Sequence, residues 1–178
     1  LDFFNAVWRL HQFDAKEYWA EIEARSVFRM VETLGPVLKA PPLQTDSIWN
    51  LATLLYQTGH LDESLRLRKH QIEQYRRTGD QERLAGSLGN QALILQARGD
   101  LDAAMALLKE QERICRQLGN LDGLQNSLGN QAPILVGRGD LDAAMALHKE
   151  KERICRQLGD VDGLARSLAM QASAILLL

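Results

Sequence analysis

The sequence predicts an all-α solenoid built from antiparallel helix pairs, and two observations carry this prediction. The block 87–126 is followed at once by 127–166, and only nine of the 40 aligned positions differ between them. A repeat of this length is typical of a stack of supersecondary units rather than of a single core. Glycine followed by Asp or Asn also recurs every 20 residues, at Gly79, Gly99, Gly119, Gly139 and Gly159.

Each of these glycine pairs indicates a break between two helices. Glycine supplies the left-handed conformation just past a helix end, and the Asp or Asn beside it can cap the next helix. A link of two residues leaves room only for an antiparallel pair. The pattern therefore predicts helices over 46–58, 61–78, 81–98, 101–118, 121–138, 141–158 and 161–178.

The repeat sets the domain organisation. Residues 47–86 align with 87–126 without gaps and share 13 positions. We divide the chain into a divergent N-terminal helical repeat or cap, 1–46, and an array, 47–178. The array comprises 47–86, 87–126, 127–166 and a half repeat, 167–178.

The N-terminal segment differs from the array in composition. Seven of the ten aromatic residues lie within residues 1–28. We interpret this segment as a degenerate first repeat whose aromatic side chains cover the end of the stack; a junction to another upstream domain is the alternative. Because the chain opens with Leu1 and stops half a repeat in, we expect it to be a fragment of a longer protein.

The two helices of a repeat differ in character. The helix at 101–118 has apolar residues at helical spacing, acids at its start and arginines at its end, with Glu112 and Arg116 forming an i, i+4 pair. The helix at 121–138 has only Asp122 and Arg138 as charged residues. We expect it to be covered on most sides or to line a concave surface.

One first helix contains a residue that should disrupt it. Pro133 removes a backbone N–H in the middle of the helix and clashes with the carbonyl of Gly129. Gly129 and Gly137 weaken the same helix further. The sequence therefore predicts a kink or break at residues 129–133.

Composition narrows the function classes. The net charge is −2, so the chain lacks the basic character that nucleic acid requires, and no apolar run reaches the length of a membrane span. Cys115 and Cys155 occupy equivalent positions, and we interpret them as reduced core residues of a cytoplasmic protein.

No motif indicates catalysis, a cofactor or a metal. We therefore expect a protein that is not an enzyme. The histidines do not recur between repeats, and we interpret each as a surface residue: His11, His60, His70 and His148.

These repeats resemble the tetratricopeptide repeat (TPR) family. The resemblance lies in Leu88-Gly89-Asn90-Gln91-Ala92, Leu95, Gly99-Asp100-Leu101-Asp102, Ala104 and Leu108. It implies a right-handed TPR-like superhelix and, from the 40-residue period, a long-repeat subclass. The sequence departs from the family pattern at Gln91, where leucine is usual.

The resemblance also implies that the first helices line an inner groove for a peptide or a partner's helix. The facing rows are Trp49, Gly89, Gly129 and Ala169; Asn50, Asn90, Asn130 and Met170; Thr53, Leu93, Pro133 and Ser173; and Tyr56, Gln96, Val136 and Leu176. The asparagines could hydrogen-bond a ligand backbone, or equally the neighbouring helix. Because Lys and Arg are absent from these rows, a neutral to apolar partner is expected rather than an acidic peptide.

The sequence thus predicts a non-catalytic protein-protein interaction scaffold. The alternative is a self-associating or autoinhibitory sensor arm of a larger signalling NTPase or transcription regulator. The apolar end at Ala174–Leu178 would support a homo-oligomer, because terminal repeats normally carry a polar cap.

Overall fold

The computed structural model describes residues 45–175 of the chain, with side-chain surroundings over residues 49–173. This part contains seven helices and no strand. They are α1 (Thr45–Gln57), α2 (Leu61–Thr78), α3 (Gln81–Ala97), α4 (Leu101–Leu118), α5 (Leu121–Gly137), α6 (Leu141–Leu158) and α7 (Val161–Ile175). The predicted boundaries agree to within one residue as far as residue 175. The predictions for residues 1–44 and 176–178 lie outside the described residues.

The helix ends form as the Gly-Asp and Gly-Asn pairs predict. Asp100 Oδ1 accepts a hydrogen bond from the backbone N–H of Ala103 at 3.3 Å and so caps α4. Four other residues accept the same hydrogen bond through a side-chain oxygen, from the backbone N–H three residues later. They are Asp80, Asn120, Asp140 and Asp160. Gly119 follows α4 with φ +65°, the left-handed conformation that ends a helix without steric cost.

The chain divides into two compact units, residues 1–71 and 72–178. In the described part of the first unit, α1 buries Leu51, Ala52 and Leu55. The hydroxyl of Ser64 on α2 donates to the carbonyl of Ala52 at 2.6 Å. This buried hydrogen bond joins the two helices of the pair.

The second unit is built by successive packing of α3 on α4, α4 on α5, α5 on α6 and α6 on α7. Its largest fully buried apolar side chains are Leu88, Ile94, Leu108, Ile114 and Leu128. A repeated hydrogen bond supports the packing: Ser127 Oγ donates to the carbonyl of Leu108 at 2.8 Å, and Ser167 Oγ donates to that of His148 at 2.8 Å. The same hydrogen bond therefore joins α4 to α5 and α6 to α7.

The predicted break at Pro133 is wrong, because α5 runs unbroken from Leu121 to Gly137 with Pro133 inside it. Proline removes one N–H, which leaves only the Gly129 carbonyl without its usual helical donor. The flanking Ala132 and Ile134 are buried in the repeat core, and their packing holds the helix through the proline. A kink in the helix axis remains a prediction.

The interpretation of His148 as a surface residue is also wrong. This side chain is only 4% exposed and lies on α6 at the position that Leu108 fills one repeat earlier. The position belongs to the core, so the histidine ring is buried with it. The interpretation of Cys115 and Cys155 as reduced core residues is confirmed, because both side chains are buried and both thiols are free.

Candidate interaction surfaces

The first helices of the second unit present a row of neutral side chains. Leu93, Gln96, Asn130 and Val136 are half-buried, as is Asn90, and Pro133 is exposed. No charged residue occurs within 84–97 of α3 or 123–137 of α5. Partial exposure with no charge is what a surface for a neutral partner requires.

Two glycines of the predicted rows serve packing inside a repeat. A Cβ on Gly89, which is buried, would lie 2.7 Å from Nε2 of Gln111 on α4. A Cβ on Gly129 would lie 2.7 Å from Nζ of Lys151 on α6. Each glycine therefore gives space to a long side chain of the second helix, which crosses the first helix there.

Gln96 connects neighbouring repeats across the row. Its Nε2 donates to the backbone carbonyl of Asn130 at 2.8 Å and so links α3 to α5. The side-chain amides of Asn90 and Asn130 make no hydrogen bond to other described residues. The asparagine amides therefore differ from Gln96, whose amide is already engaged.

In the first unit, two of the four predicted residues contact a cation that sequence reasoning missed. Arg68 lies over the ring of Trp49 at 4.4 Å and donates to Oγ1 of Thr53 at 2.7 Å. Asn50 is half-buried, and Tyr56 is exposed. The repeat alignment indicates that Arg68 is buried, because it occupies the position of Leu108 and His148 in the later repeats.

In α7, which continues the predicted rows, Ala169, Met170 and Ser173 are exposed. Leu176 lies outside the described residues. Val161 and Leu168 of the same helix are also exposed, at 75% and 45%. The described part of α7 therefore presents apolar side chains to solvent.

The second helices carry a repeated ion pair. Arg76 Nη2 lies 2.8 Å from Glu110 Oε2, and one repeat later Arg116 Nη1 lies 2.7 Å from Glu150 Oε1. Arg116 also reaches Glu112 at 2.7 Å, the i, i+4 pair that the sequence predicts. Hydrogen bonding from Arg116 lowers the pKa of Glu150, and bonds to Glu150 and Glu112 raise the pKa of Arg116. Arg116 thus connects Glu112 of its own helix to Glu150 of the next second helix.

The glutamines that follow Gln91 at the same position of the later repeats make a second repeated contact. Nε2 of Gln131, one repeat later, donates to Glu112 at 2.8 Å, and that of Gln171 donates to Glu152 at 2.7 Å. The glutamine therefore joins α5 to α4 and α7 to α6, whereas Gln91 on α3 faces the register position of Ile72, which accepts no hydrogen bond. Leucine, usual in the family at this position, offers no such bond.

Nothing in residues 45–175 indicates a metal centre or a membrane span. No group of three or more potential metal-ligating His, Cys, Asp or Glu side chains occurs there. No helix in the same range is both long and apolar enough to cross a bilayer.

The paired helices and their register define a helical-repeat protein, and comparison with known proteins specifies which kind. No family model matches the chain, and no curated protein matches it. Several solved structures, however, are similar to the chain. One is a single-substitution variant of nearly identical TPR-like repeats from Podosopora anserina, assigned as a kinesin light chain, with 17% identity and a TM-score of 0.73. The match covers 96% of this chain and 82% of that one.

Two further structures agree. A second structure of nearly identical TPR-like repeats from Podosopora anserina gives 18% identity and a TM-score of 0.67, covering 98% of this chain and 89% of that one. BtubC (BKLC) from P. vanneervenii gives 13% identity and a TM-score of 0.58, covering 97% and 87%. The chain therefore has a TPR-like fold and is an all-α solenoid, as the sequence predicts.

Proposed function

We propose that this chain is a non-catalytic scaffold that binds a neutral to apolar peptide or partner helix on the first helices of its repeats. The observation that carries the proposal is the uncharged, half-buried row on α3 and α5, centred on Leu93 and Val136. In the same unit the second helices are rich in charged side chains, some of which pair with each other, as Arg76 does with Glu110 and Arg116 with Glu150. A partner without charge matches the first surface better than the second.

The roles follow from side-chain chemistry. Leu93 and Val136 offer apolar contact, and exposed Pro133 adds a rigid apolar edge. The amides of Asn90 and Asn130 can donate to and accept from a ligand backbone. Gly89 and Gly129 act indirectly, because they let the second helix pack closely beneath the row.

The first unit offers a separate set of contacts. Tyr56 is exposed, and Trp49, Asn50 and Thr53 lie beside it on α1. The Trp49 ring already stacks with Arg68. We assign these residues an accessory role in binding.

The free, buried thiols of Cys115 and Cys155 support a cytoplasmic location.

A displayed random-peptide library selected against the chain tests the proposal. Peptides are then measured against the double variant Leu93→Asp, Val136→Asp, with circular dichroism verifying that helix content is kept. The control is Ala106→Asp, Ala146→Asp, which places the same charges at exposed positions of α4 and α6. We expect selected peptides to be neutral to apolar, with affinity at least tenfold weaker for the first variant and unchanged for the control.

Unchanged affinity in the Leu93, Val136 variant would contradict the proposed surface. Equal loss in the control variant would also contradict it, because general electrostatic repulsion would then explain the effect. Affinity should change little between low and high salt, since charged contacts are the ones that salt screens.

The exposed apolar residues of α7 favour a second candidate, a self-associating or autoinhibitory arm of a signalling NTPase or transcription regulator. Val161, Leu168 and Met170 are 45–75% exposed on this helix. Light scattering coupled to size exclusion, over a range of concentrations, tests self-association. A mass that rises with concentration and returns to a single copy in Val161→Asp, Met170→Asp supports it; a single mass at every concentration counts against it.

A further inference from the structure

A cleft of about 300 Å³ opens between the C-terminal half of α4, the start of α5 and the C-terminal half of α6. Cys115, Leu124 and Ile154 line it, and all three side chains are buried. Leu121 lines it as well and is half-buried. The cleft therefore has an apolar interior that continues into the core of the second unit.

The rim of the cleft is polar. Glu150 is held by Arg116 at 2.7 Å, whereas Arg153 lies 3.9 Å from the same carboxylate and is 79% exposed. Gln157 is exposed beside them. A group that enters the cleft thus meets apolar side chains inside and hydrogen-bonding groups at the mouth.

The repeat register shows which kind of group fits such a position. Forty residues before Cys115 the chain has Tyr75, which is buried in the same apolar cluster. That cluster also contains Leu84 and Ile114, the counterparts of Leu124 and Ile154. Where one repeat interface receives the ring of its own tyrosine, the next receives only a thiol.

Size and polarity agree with this comparison. A volume of about 300 Å³ is at the lower limit of ligand pockets, which suits one side chain better than a whole metabolite. Tyrosine combines a large apolar ring with a hydroxyl that needs a hydrogen-bond partner when it is buried. The interior of the cleft matches the ring, and the rim matches the hydroxyl.

We propose that this cleft binds a tyrosine side chain of a partner protein. The ring packs against Cys115, Leu124 and Ile154 and replaces the ring that Tyr75 supplies one repeat earlier. The hydroxyl lies at the rim, within reach of Glu150 or Gln157. The site shares no residue with the row on α3 and α5, so it stands or fails independently of the proposed function.

Titration of the full chain with 4-methylphenol, the tyrosine side chain as a free molecule, tests the site. We expect shifts of the amide NMR signals of Leu121, Leu124 and Ile154, with a dissociation constant of about 1 mM, as befits so small a ligand. 4-Methylcyclohexanol serves as the control without an aromatic ring. Absence of these shifts, or equal binding of the two compounds, would overturn the proposal.

Two variants fill the cleft from within. Cys115→Tyr restores the ring of the earlier repeat, and Leu121→Phe adds a ring from the α5 side. Gly123, beside the Cys115 sulfur, has no side chain, whereas its counterpart is Arg83, so a ring at position 115 gains space there. We expect either variant, once circular dichroism shows that it is folded, to weaken 4-methylphenol binding at least tenfold.

The matched control is Cys115→Ala, which leaves the cleft open and should keep the affinity within about twofold, since a thiol and a methyl group are both small and apolar. Should Cys115→Tyr fail to fold, Leu121→Phe alone decides. Wild-type affinity in a folded, filled variant would show that 4-methylphenol binds elsewhere and would overturn the assignment.

Discussion

Arg116 on α4 holds both carboxylate oxygens of Glu150 on α6, with Nη1–Oε1 and Nη2–Oε2 distances of 2.7 and 2.9 Å. The same guanidinium donates through Nε to Glu112 at 2.9 Å. The pair joins consecutive second helices, and Arg76 and Glu110 make its counterpart one repeat earlier. The outer helices are thus linked by a contact that repeats with the sequence.

Glu150→Gln should weaken this link modestly. The Arg116 side chain is 44% exposed, so solvent screening limits the expected loss of unfolding free energy to about 0.5–1 kcal/mol. Urea unfolding at low salt should show the loss, and the difference from wild type should shrink at high salt. A double-mutant cycle with Arg116→Gln is the control; a coupling energy of zero would contradict the contact.

The same pair should contribute to acid sensitivity. Because Arg116 lowers the pKa of Glu150 below its ordinary 4.5, its contribution is complete above pH 4.5 and is lost as the pH falls through the folded-state value. The unfolding free energy of Glu150→Gln should therefore approach that of wild type in acid. A difference independent of pH between 7 and 3 would argue against this assignment.

Gln131→Leu tests the hydrogen bond between Gln131 and Glu112. The substitution leaves half-buried Glu112 without the amide of Gln131, so we expect a loss of about 1 kcal/mol in unfolding free energy. Gln91→Leu is the matched control, because the counterpart of Glu112 there is Ile72, which accepts no hydrogen bond. Equal losses in the two variants would contradict the role of the glutamine–glutamate bond.

Local signals in the sequence were enough to predict the helices, since glycine and its capping Asp or Asn determine where each one ends. Contacts between repeats were harder to predict because they depend on how consecutive units stack. The Arg116–Glu150 and Gln131–Glu112 bonds span 34 and 19 residues. Pro133 was misjudged for the same reason, because its cost was known but the packing of Ala132 and Ile134 was not.

His148→Leu should stabilise the protein and remove a pH dependence. Burial, and secondarily Lys151, lowers the pKa of His148 below 6.5, and its Nδ1 has no hydrogen-bond partner among the described residues. The unfolded state therefore binds a proton more readily, so stability is complete above pH 6.5 and falls below it. Leucine, as at Leu108, restores apolar packing, and we expect a gain of about 1–2 kcal/mol at neutral pH.

Thermal unfolding between pH 5 and 8 measures this effect. The control is His70→Gln, which removes an exposed histidine of α2 instead of a buried one. A His148→Leu variant whose stability falls as steeply below pH 6.5 as that of wild type would contradict the assignment.

Pro133→Leu should raise the stability of α5, because it restores the backbone N–H that the helix lacks opposite the Gly129 carbonyl. The expected gain is about 1–3 kcal/mol, which is no more than the usual cost of proline in a helix interior. Leu93 already occupies the equivalent position of α3, so leucine fits the repeat geometry there. The reciprocal change Leu93→Pro should destabilise α3 by a similar amount or more, because that helix has no prior adjustment to a missing donor. Hydrogen exchange of the α5 amides, followed beside urea unfolding, distinguishes a local from a global gain. If Pro133→Leu changes neither, the packing around Ala132 and Ile134 already offsets the full cost of the proline.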